Sequence, residues 1–216
     1  MSNRSVTVAP AGVVCVVDDD PSVRKGLLRL LRTAGFKVEL FASAEEFLER
    51  QDPMAGGCIV LDIQMPGLGG FDLQDCLRKL NCCMPVIFIT GHGDIPMSVR
   101  AMKKGAVDFL SKPFDKNELL RAVVIALNRD KEARELRTKT AKVAGLIGSL
   151  TPREREVMKL VVAGMLNKQV AAELDIKEQT VKVHRGRVMG KLGATSVAEL
   201  TRLSLVAESA ESFKTL

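Results

Sequence analysis

Residues 57–70 read GCIVLDIQMPGLGG, an apolar run that meets a single acidic residue, Asp62, and passes at once into Pro66 and several glycines. An uninterrupted Cys-Ile-Val-Leu run bounded by turn residues predicts a strand buried on both faces, as in a parallel sheet. Asp62 then stands at the carboxyl end of that strand, the edge at which open α/β sheets bind ligands. A lone aspartate there has a plain use as a loop cap. Its meaning depends on what the other strand ends deliver.

Upstream, residues 12–17, GVVCVV, form a second such run, ending in Asp18, Asp19 and Asp20. Asp20 before Pro21 makes a helix start, and Val23, Leu27, Leu30, Leu31 and Ala34 recur at helical spacing until Gly35. Asp20 is thereby accounted for, and Asp18 and Asp19 are not. Residues 36–41 alternate as an outer strand, and Ser43 with Glu46 predicts a capping box. Downstream of Asp62, residues 71–80 read as a helix, 85–89 as a strand ending at Thr90, 96–104 as a helix and 106–110 as a strand ending at Ser111 and Lys112. Asp115 with Glu118 predicts a second capping box, with Phe114 stapled onto Leu119. Five strand-then-helix units predict an α/β class fold, a doubly wound five-stranded parallel sheet with right-handed crossovers.

The last helix runs on through NRDKEARELRTKTAK, charged on all sides, as a solvated linker helix. From near Ser149 a second, smaller all-α domain is predicted. Thr151, Pro152 and Glu154 start its first helix, with Val157, Leu160, Val161 and Ala163 on the buried face. Three more helices follow, over residues 168–174, 178–192 and 196–207. The pair on either side of Asp175 has helix-turn-helix proportions. The expected division is a sheet domain over 10–128, a helical linker over 129–146 and a four-helix domain over 147–208.

The chain has 216 residues, 46% of them apolar, with a net charge of +6. That suffices for two small cores, and the positive balance hints at an acidic partner. No apolar run approaches the roughly 20 residues of a membrane span and no signal-peptide core precedes the first strand, so no membrane partner and a cytoplasmic location are expected. The five cysteines (Cys15, Cys58, Cys76, Cys82 and Cys83) have neither disulfide-scaffold nor zinc spacing. Cys15 and Cys58 read as small core residues. Cys82 and Cys83 fall in a loop before Pro85, where redox sensing is the alternative to a plain loop.

Four strands thus deliver Asp18 and Asp19, Asp62, Thr90 and Lys112 to one edge. Three crowded carboxylates repel one another unless a cation offsets them, and an all-oxygen donor set points to Mg²⁺. The hydroxyl of Thr90 and the ammonium of Lys112 suit a phosphoryl group. In VVDDD, VLDIQMPG, FITGHGD and FLSKPF the chain resembles the receiver domain of bacterial two-component response regulators, a flavodoxin-like fold.

The resemblance implies that Asp62 is the phosphoacceptor, whose carboxylate attacks the phosphohistidine of a sensor histidine kinase to give an acyl phosphate. It implies that Asp19 binds Mg²⁺ directly and Asp18 through water, with the backbone carbonyl of Gln64 completing the protein ligands. Thr90 is then the switch, Lys112 the phosphoryl partner, Phe109 the aromatic that turns inward with Thr90, and Lys112-Pro113 a cis bond. Phe109 lacks the hydroxyl that relatives often carry there, and a plain core aromatic is its other reading. Gln64 and His92, each two residues past a site residue, are expected to flank an incoming water and set the lifetime of the acyl phosphate. A Mg²⁺-dependent aspartyl-phosphate phosphatase is the enzyme alternative, but it places a second Asp where Gln64 stands. The chain is therefore expected to accept a phosphoryl group and lose it slowly rather than turn over substrate. A DNA-binding regulator working without phosphorylation is the other alternative.

Residues 151–194 resemble the LuxR-type helix-turn-helix of the NarL/FixJ subfamily. Apart from that resemblance, Lys177, Lys182, Arg185, Arg187 and Lys191 crowd the helix after the turn, with Val181, His184, Val188 and Leu192 as its buried stripe. That arrangement suits a major groove, with basic side chains such as Arg185 and Arg187 to phosphates; by resemblance Lys182 and Val183 read bases, Gln179 and Thr180 touch the backbone, and Gly186 replaces a longer contacting side chain. The expected partners are the kinase, a double-stranded DNA operator, a second copy of the chain as a homodimer on phosphorylation, and RNA polymerase.

Overall fold

The computed structural model describes residues 12–50, 56–91 and 95–212, with side chains described through residue 207. Tertiary contacts group the chain into two units, Met1–Arg134 and Glu135–Leu216.

In the first unit β1 (Val13–Val17), β2 (Lys37–Phe41), β3 (Gly57–Asp62), β4 (Val86–Thr90) and β5 (Asp108–Ser111) alternate with α1 (Pro21–Thr33), α2 (Ala44–Leu48), α3 (Gly70–Lys79), α4 (Ile95–Lys103) and the first part of α5 (Lys116–Gly148), whose residues from Glu135 on belong to the second unit. All strand pairs are parallel, in the order β2-β1-β3-β4-β5. The direction of winding reverses between β1 and β3, which makes the gap outside their carboxyl ends the topological switch point.

The apolar runs are continuous because both faces of the sheet are covered. Val14, Val16, Val60, Ile87, Ile89 and Leu110 pack beneath α1 and α5, against Leu27, Leu31, Leu119, Val123 and Leu127. The alternate residues Cys15, Val17, Ile59, Leu61 and Phe88 pack on the other face with Phe47, Leu73, Leu77 and Ala101 from α2, α3 and α4. Burial drives the Cys15 thiol up to about 12 and raises Cys58 as well, so both sulfurs act as small apolar groups. The vicinal cysteines part company: Cys82 is buried in the α2–α4 core and Cys83 is exposed.

Asp20 caps α1 by accepting from the Ser22 N–H at 2.7 Å. Ser43 accepts from Glu46 N–H as predicted, but the Glu46 carboxylate reaches back to the Ala42 N–H rather than to that of Ser43. At Asp115 the carboxylate accepts from Asn117 and Glu118.

The amino-terminal edge of the sheet holds a feature that the charged linker sequence concealed. Gly57 has φ +140°, and a Cβ there would sit 1.9 Å from the Val13 carbonyl oxygen, so only glycine fits. Its N–H donates to Asp130 Oδ2 at 2.9 Å across the unit. Asp130 lies on α5, is buried, and pairs with Arg134 Nε at 3.0 Å. The solvated character read into residues 129 onward therefore does not apply to Asp130. The helix itself continues through Gly145 to Gly148.

The second unit contains α6 (Pro152–Val162), α7 (Asn167–Glu173), α8 (Glu178–Leu192) and α9 (Val197–Ser212). Val157, Val161, Val170, Val181, Val188 and Leu200 meet in one core. Thr151 and Glu154 form a full capping box at α6. Ala163, expected on the buried face, is exposed because α6 has ended and Ala163 is its C-cap; Met158 is buried instead. Among the described residues no helix is long and apolar enough to cross a membrane.

Asp130→Ala leaves the buried Gly57 N–H unpaired and Arg134 without its carboxylate. We expect a loss of about 1–3 kcal/mol, read from urea unfolding by circular dichroism, since the chain has no Trp or Tyr. An unchanged midpoint would remove this clasp from what holds the fold.

Candidate functional site

Strand register decides which side chains meet at the carboxyl edge. Val17 pairs with Leu61, so Asp18, one residue on, is level with Asp62. By period-two alternation Asp18 continues the row Val14, Val16; Asp62 continues Cys58, Val60; and Lys112 follows Leu110. All three therefore emerge on the α1/α5 face. Lys112 Nζ donates to Asp18 Oδ2 at 2.7 Å and to Asp62 Oδ2 at 2.9 Å. Asp18 is fully buried, Asp62 nearly so, and Asp19 exposed.

Burial raises the Asp18 carboxyl above its usual range, against the lowering by Lys112 and the Asp20 N–H. Burial also works against the Lys112 ammonium, but the two carboxylates prevail and its pKa is raised. One ammonium cannot balance three carboxylates. Asp18, Asp19 and Asp62 each offer an oxygen, and these oxygens lie within 4.8 Å of one another. A compact, purely carboxylate donor set with one member facing solvent fits a hard divalent ion that keeps waters.

Thr90 stands on the other face. It pairs with Ser111 and continues the row of Phe88, which pairs with Phe109. Thr90 is fully buried, and Phe109 is half-buried against the α2–α4 core. The predicted edge cluster is thus divided, with Asp18, Asp62 and Lys112 on one face and Thr90 with Phe109 on the other. Gln64 is exposed, and its N–H donates to Asp62 Oδ1 at 3.3 Å. His92 lies outside the described residues. The Lys112-Pro113 bond is cis.

Three supporting residues escaped the sequence reading. Arg24 donates from α1 to the Asp18 carbonyl at 2.6 Å, fixing the backbone behind that carboxylate. Glu45 on α2 accepts from the Leu68 N–H at 3.1 Å and braces the loop after Asp62. A Cβ at Gly70 would sit 2.4 Å from the Asp62 carbonyl oxygen, so α3 can start this close to β3 only with glycine. Gly70 lies in the quoted stretch, but the first two contacts join separate elements and leave no local pattern.

In the second unit α8 presents Gln179, Thr180, Lys182 and Arg187 to solvent, with Val183 45% exposed despite its apolar side chain. The turn before α8 includes Asp175 at φ 50°, and Arg153 donates to the adjacent Leu174 carbonyl at 2.6 Å. Lys182 pairs with Glu178 at 3.2 Å. Arg185 is half-buried and donates to Asn167 Oδ1 on α7 at 3.0 Å, bracing the two helices. Lys191 is not part of the outward basic face: its ammonium meets the buried Glu154 carboxylate at 2.7 Å. Hydrogen bonds from Lys191 and the Thr151 N–H hold Glu154 well below its usual 4.5, at about 2. His184, assigned to the buried stripe, is half-buried.

Residues 14–124 match the family described as response regulator receiver domain, and residues 148–204 match bacterial regulatory proteins, luxR family. Nodulation protein W of Bradyrhizobium diazoefficiens is 54% identical over 192 residues, covering 89% of this chain and 85% of that protein. The transcriptional regulatory protein FixJ of the same organism is 41% identical over 194 residues, covering 90% and 95%. Among solved structures, the response regulator StyR superposes with a TM-score of 0.82 at 50% identity, covering 90% of this chain and 98% of that one.

The depressed Glu154 value fixes the sign of a pH effect. The pair stabilises the second unit above the ordinary pKa of 4.5, and that support is lost as pH falls through about 2. Glu154→Gln should therefore speed hydrogen exchange in α6 and α8 at neutral pH, the difference from wild type closing between those two values. A difference that persists at pH 2 would assign the effect to packing.

Proposed function

The chain belongs to the response regulators of two-component systems, a receiver domain joined to a LuxR-type DNA-binding domain, and from that membership we propose that Asp62 is its phosphoacceptor and α8 its operator-reading helix. The observation that carries the first assignment is the ammonium of Lys112 shared between Asp18 and Asp62 in a buried row. Asp62 attacks the phosphorus of a kinase phosphohistidine. The new P–O bond forms as the P–N bond breaks, and the electron pair leaves with the imidazole nitrogen. Asp19, Asp62 and the Gln64 carbonyl, with Asp18 through water, would hold Mg²⁺, which when bound would offset the charge of phosphoryl oxygens. Lys112 exchanges part of its hold on the carboxylates for a phosphoryl oxygen.

Thr90 on β4 and Phe109 on β5, diagonal neighbours on the opposite face, are the switch: Thr90 moves toward the phosphoryl group and Phe109 follows into the space beneath. The surface of α4 and β5 changes with them. Ile95, Val99 and Met102 form an exposed apolar stripe on α4, 80%, 45% and 49% exposed, which supports pairing with a second copy there. The chain then binds two operator half-sites as a homodimer, next to RNA polymerase, in the cytoplasmic compartment that holds its DNA. Functionally we divide it into a receiver over 10–128, a coupling helix over 129–146 and an operator-binding domain over 147–208. Acyl-phosphate loss is slow, with Gln64 among the residues that set it, and the chain is not a turnover enzyme.

On α8, Lys182 and Val183 reach base edges, while Gln179, Thr180 and Arg187 hold the backbone. Arg185 keeps N–H groups for a phosphate beyond the one given to Asn167.

Incubation with acetyl phosphate and Mg²⁺ should add the mass of one phosphoryl group to wild type and none to Asp62→Asn; equal adducts on both would place the acceptor elsewhere. For DNA, Lys182→Ala should relax base preference at one position, with a cost of about 1–3 kcal/mol on the preferred operator. Arg187→Ala should weaken all sequences alike and reduce the salt slope by about one. The reverse pattern would exchange their roles.

A further inference from the structure

The sheet edge opposite the carboxylates carries a second cavity, of about 480 Å³, outside the amino-terminal ends of β4 and β5. It lies between the end of α3, the segment leading into β4, and the stretch of α5 that carries Arg129 and Ala133. The five residues of β4 separate it from Thr90 by roughly 15 Å, so it shares no residue with the phosphoacceptor site. Its size is that of small-molecule sites, which combine apolar walls with a few placed polar groups.

The walls and rim differ in chemistry. Leu77, Met84, Val86 and Val107 provide apolar surface. Arg78, Lys104 and Arg129 supply three cations, and among the described residues lining the cavity there is no carboxylate. Lys104 is committed outside the lining, to Asp75 at 2.5 Å, a hydrogen bond that holds the Asp75 carboxyl below its usual range. Arg78 and Arg129 are exposed at the rim. Gln74 adds an independent sign. It is 5% exposed and gives its amide N–H to the Lys104 carbonyl at 3.3 Å, while its side-chain oxygen is buried without a hydrogen-bond partner among the described residues. An anion brings no proton to this oxygen, so the donor it calls for is a water held beside the ligand.

We propose that this cavity binds a small organic anion with an apolar body, the anionic group between Arg78 and Arg129 and the body against Leu77, Met84 and Val107. Planar carboxylates match the guanidinium forks that Arg presents. The ligand touches α5 directly at Arg129 and Ala133, one turn from the Asp130 clasp on Gly57.

The exposed Cys83 lines the cavity and reports on it. The full-length chain is treated with N-ethylmaleimide, and labelling of Cys83 is timed by peptide mass analysis with benzoate, 2-naphthoate, benzyl alcohol or inorganic phosphate present. Benzoate or 2-naphthoate is expected to slow labelling several-fold and saturably, with benzyl alcohol and phosphate ineffective. The Arg78→Gln, Arg129→Gln double variant is expected to lose that protection while still accepting a phosphoryl group from acetyl phosphate, which separates this site from Asp62. The proposal is overturned if neither aromatic carboxylate protects, if phosphate or benzyl alcohol protects equally, or if protection survives in the double variant.

Discussion

Two buried carboxylates sharing one ammonium set the terms for the whole receiver unit. Asp18 and Asp62 lie level on adjacent strands because β1 and β3 pair in register, and both keep a short hydrogen bond to Lys112, which follows the end of β5, two strands beyond β3. In a low-dielectric wall, like charges this close are costly, and their joint survival requires that all three strands end at the same height. Arg24 and Gly70 serve that same requirement, one by holding the Asp18 carbonyl and the other by letting α3 begin against the Asp62 backbone. Three carboxylates against one ammonium leave the cluster net negative, and an added charge redistributes the hydrogen bonds of Lys112.

The alternation of side chains across the sheet gives that rearrangement a direction. Charge sits on the α1/α5 face, whereas Thr90 and Phe109 belong to the row on the α2–α4 face. Asp62 and α4 therefore lie on opposite sides of the sheet. On the α4 side Thr90 is buried and Phe109 half-buried. The exposed apolar stripe of α4 belongs to that same side.

In the second unit the same economy of charge sorts the basic residues. Of the cations on α8, Lys191 is spent on a buried carboxylate and Arg185 on bracing α7, while Arg187 and Lys182 remain at the surface, Lys182 against only an exposed Glu178. The helix that looked uniformly basic therefore separates into residues that hold the domain together and residues that face solvent. Cores of this size depend on such ties, because few apolar side chains are available for each helix.

The sequence by itself determined the strand-helix order, the buried character of the strands, the caps at Asp20 and Thr151, and the identity of Asp18, Asp19, Asp62, Thr90 and Lys112 as groups at strand ends. These are local signals: runs, periods and capping residues act within a few positions of one another. Only the tertiary structure decided that Thr90 and Lys112 leave the sheet on opposite faces, that Asp130 is a buried clasp and not a solvated linker residue, and that Glu154 pairs with Lys191. It also decided that Cys82 is buried while its neighbour Cys83 is exposed. Each of these depends on register or on a contact between residues dozens of positions apart. A charged residue carries no mark in the chain of whether water or a partner will meet it. That is settled when the elements pack, by whichever groups register brings within hydrogen-bond reach.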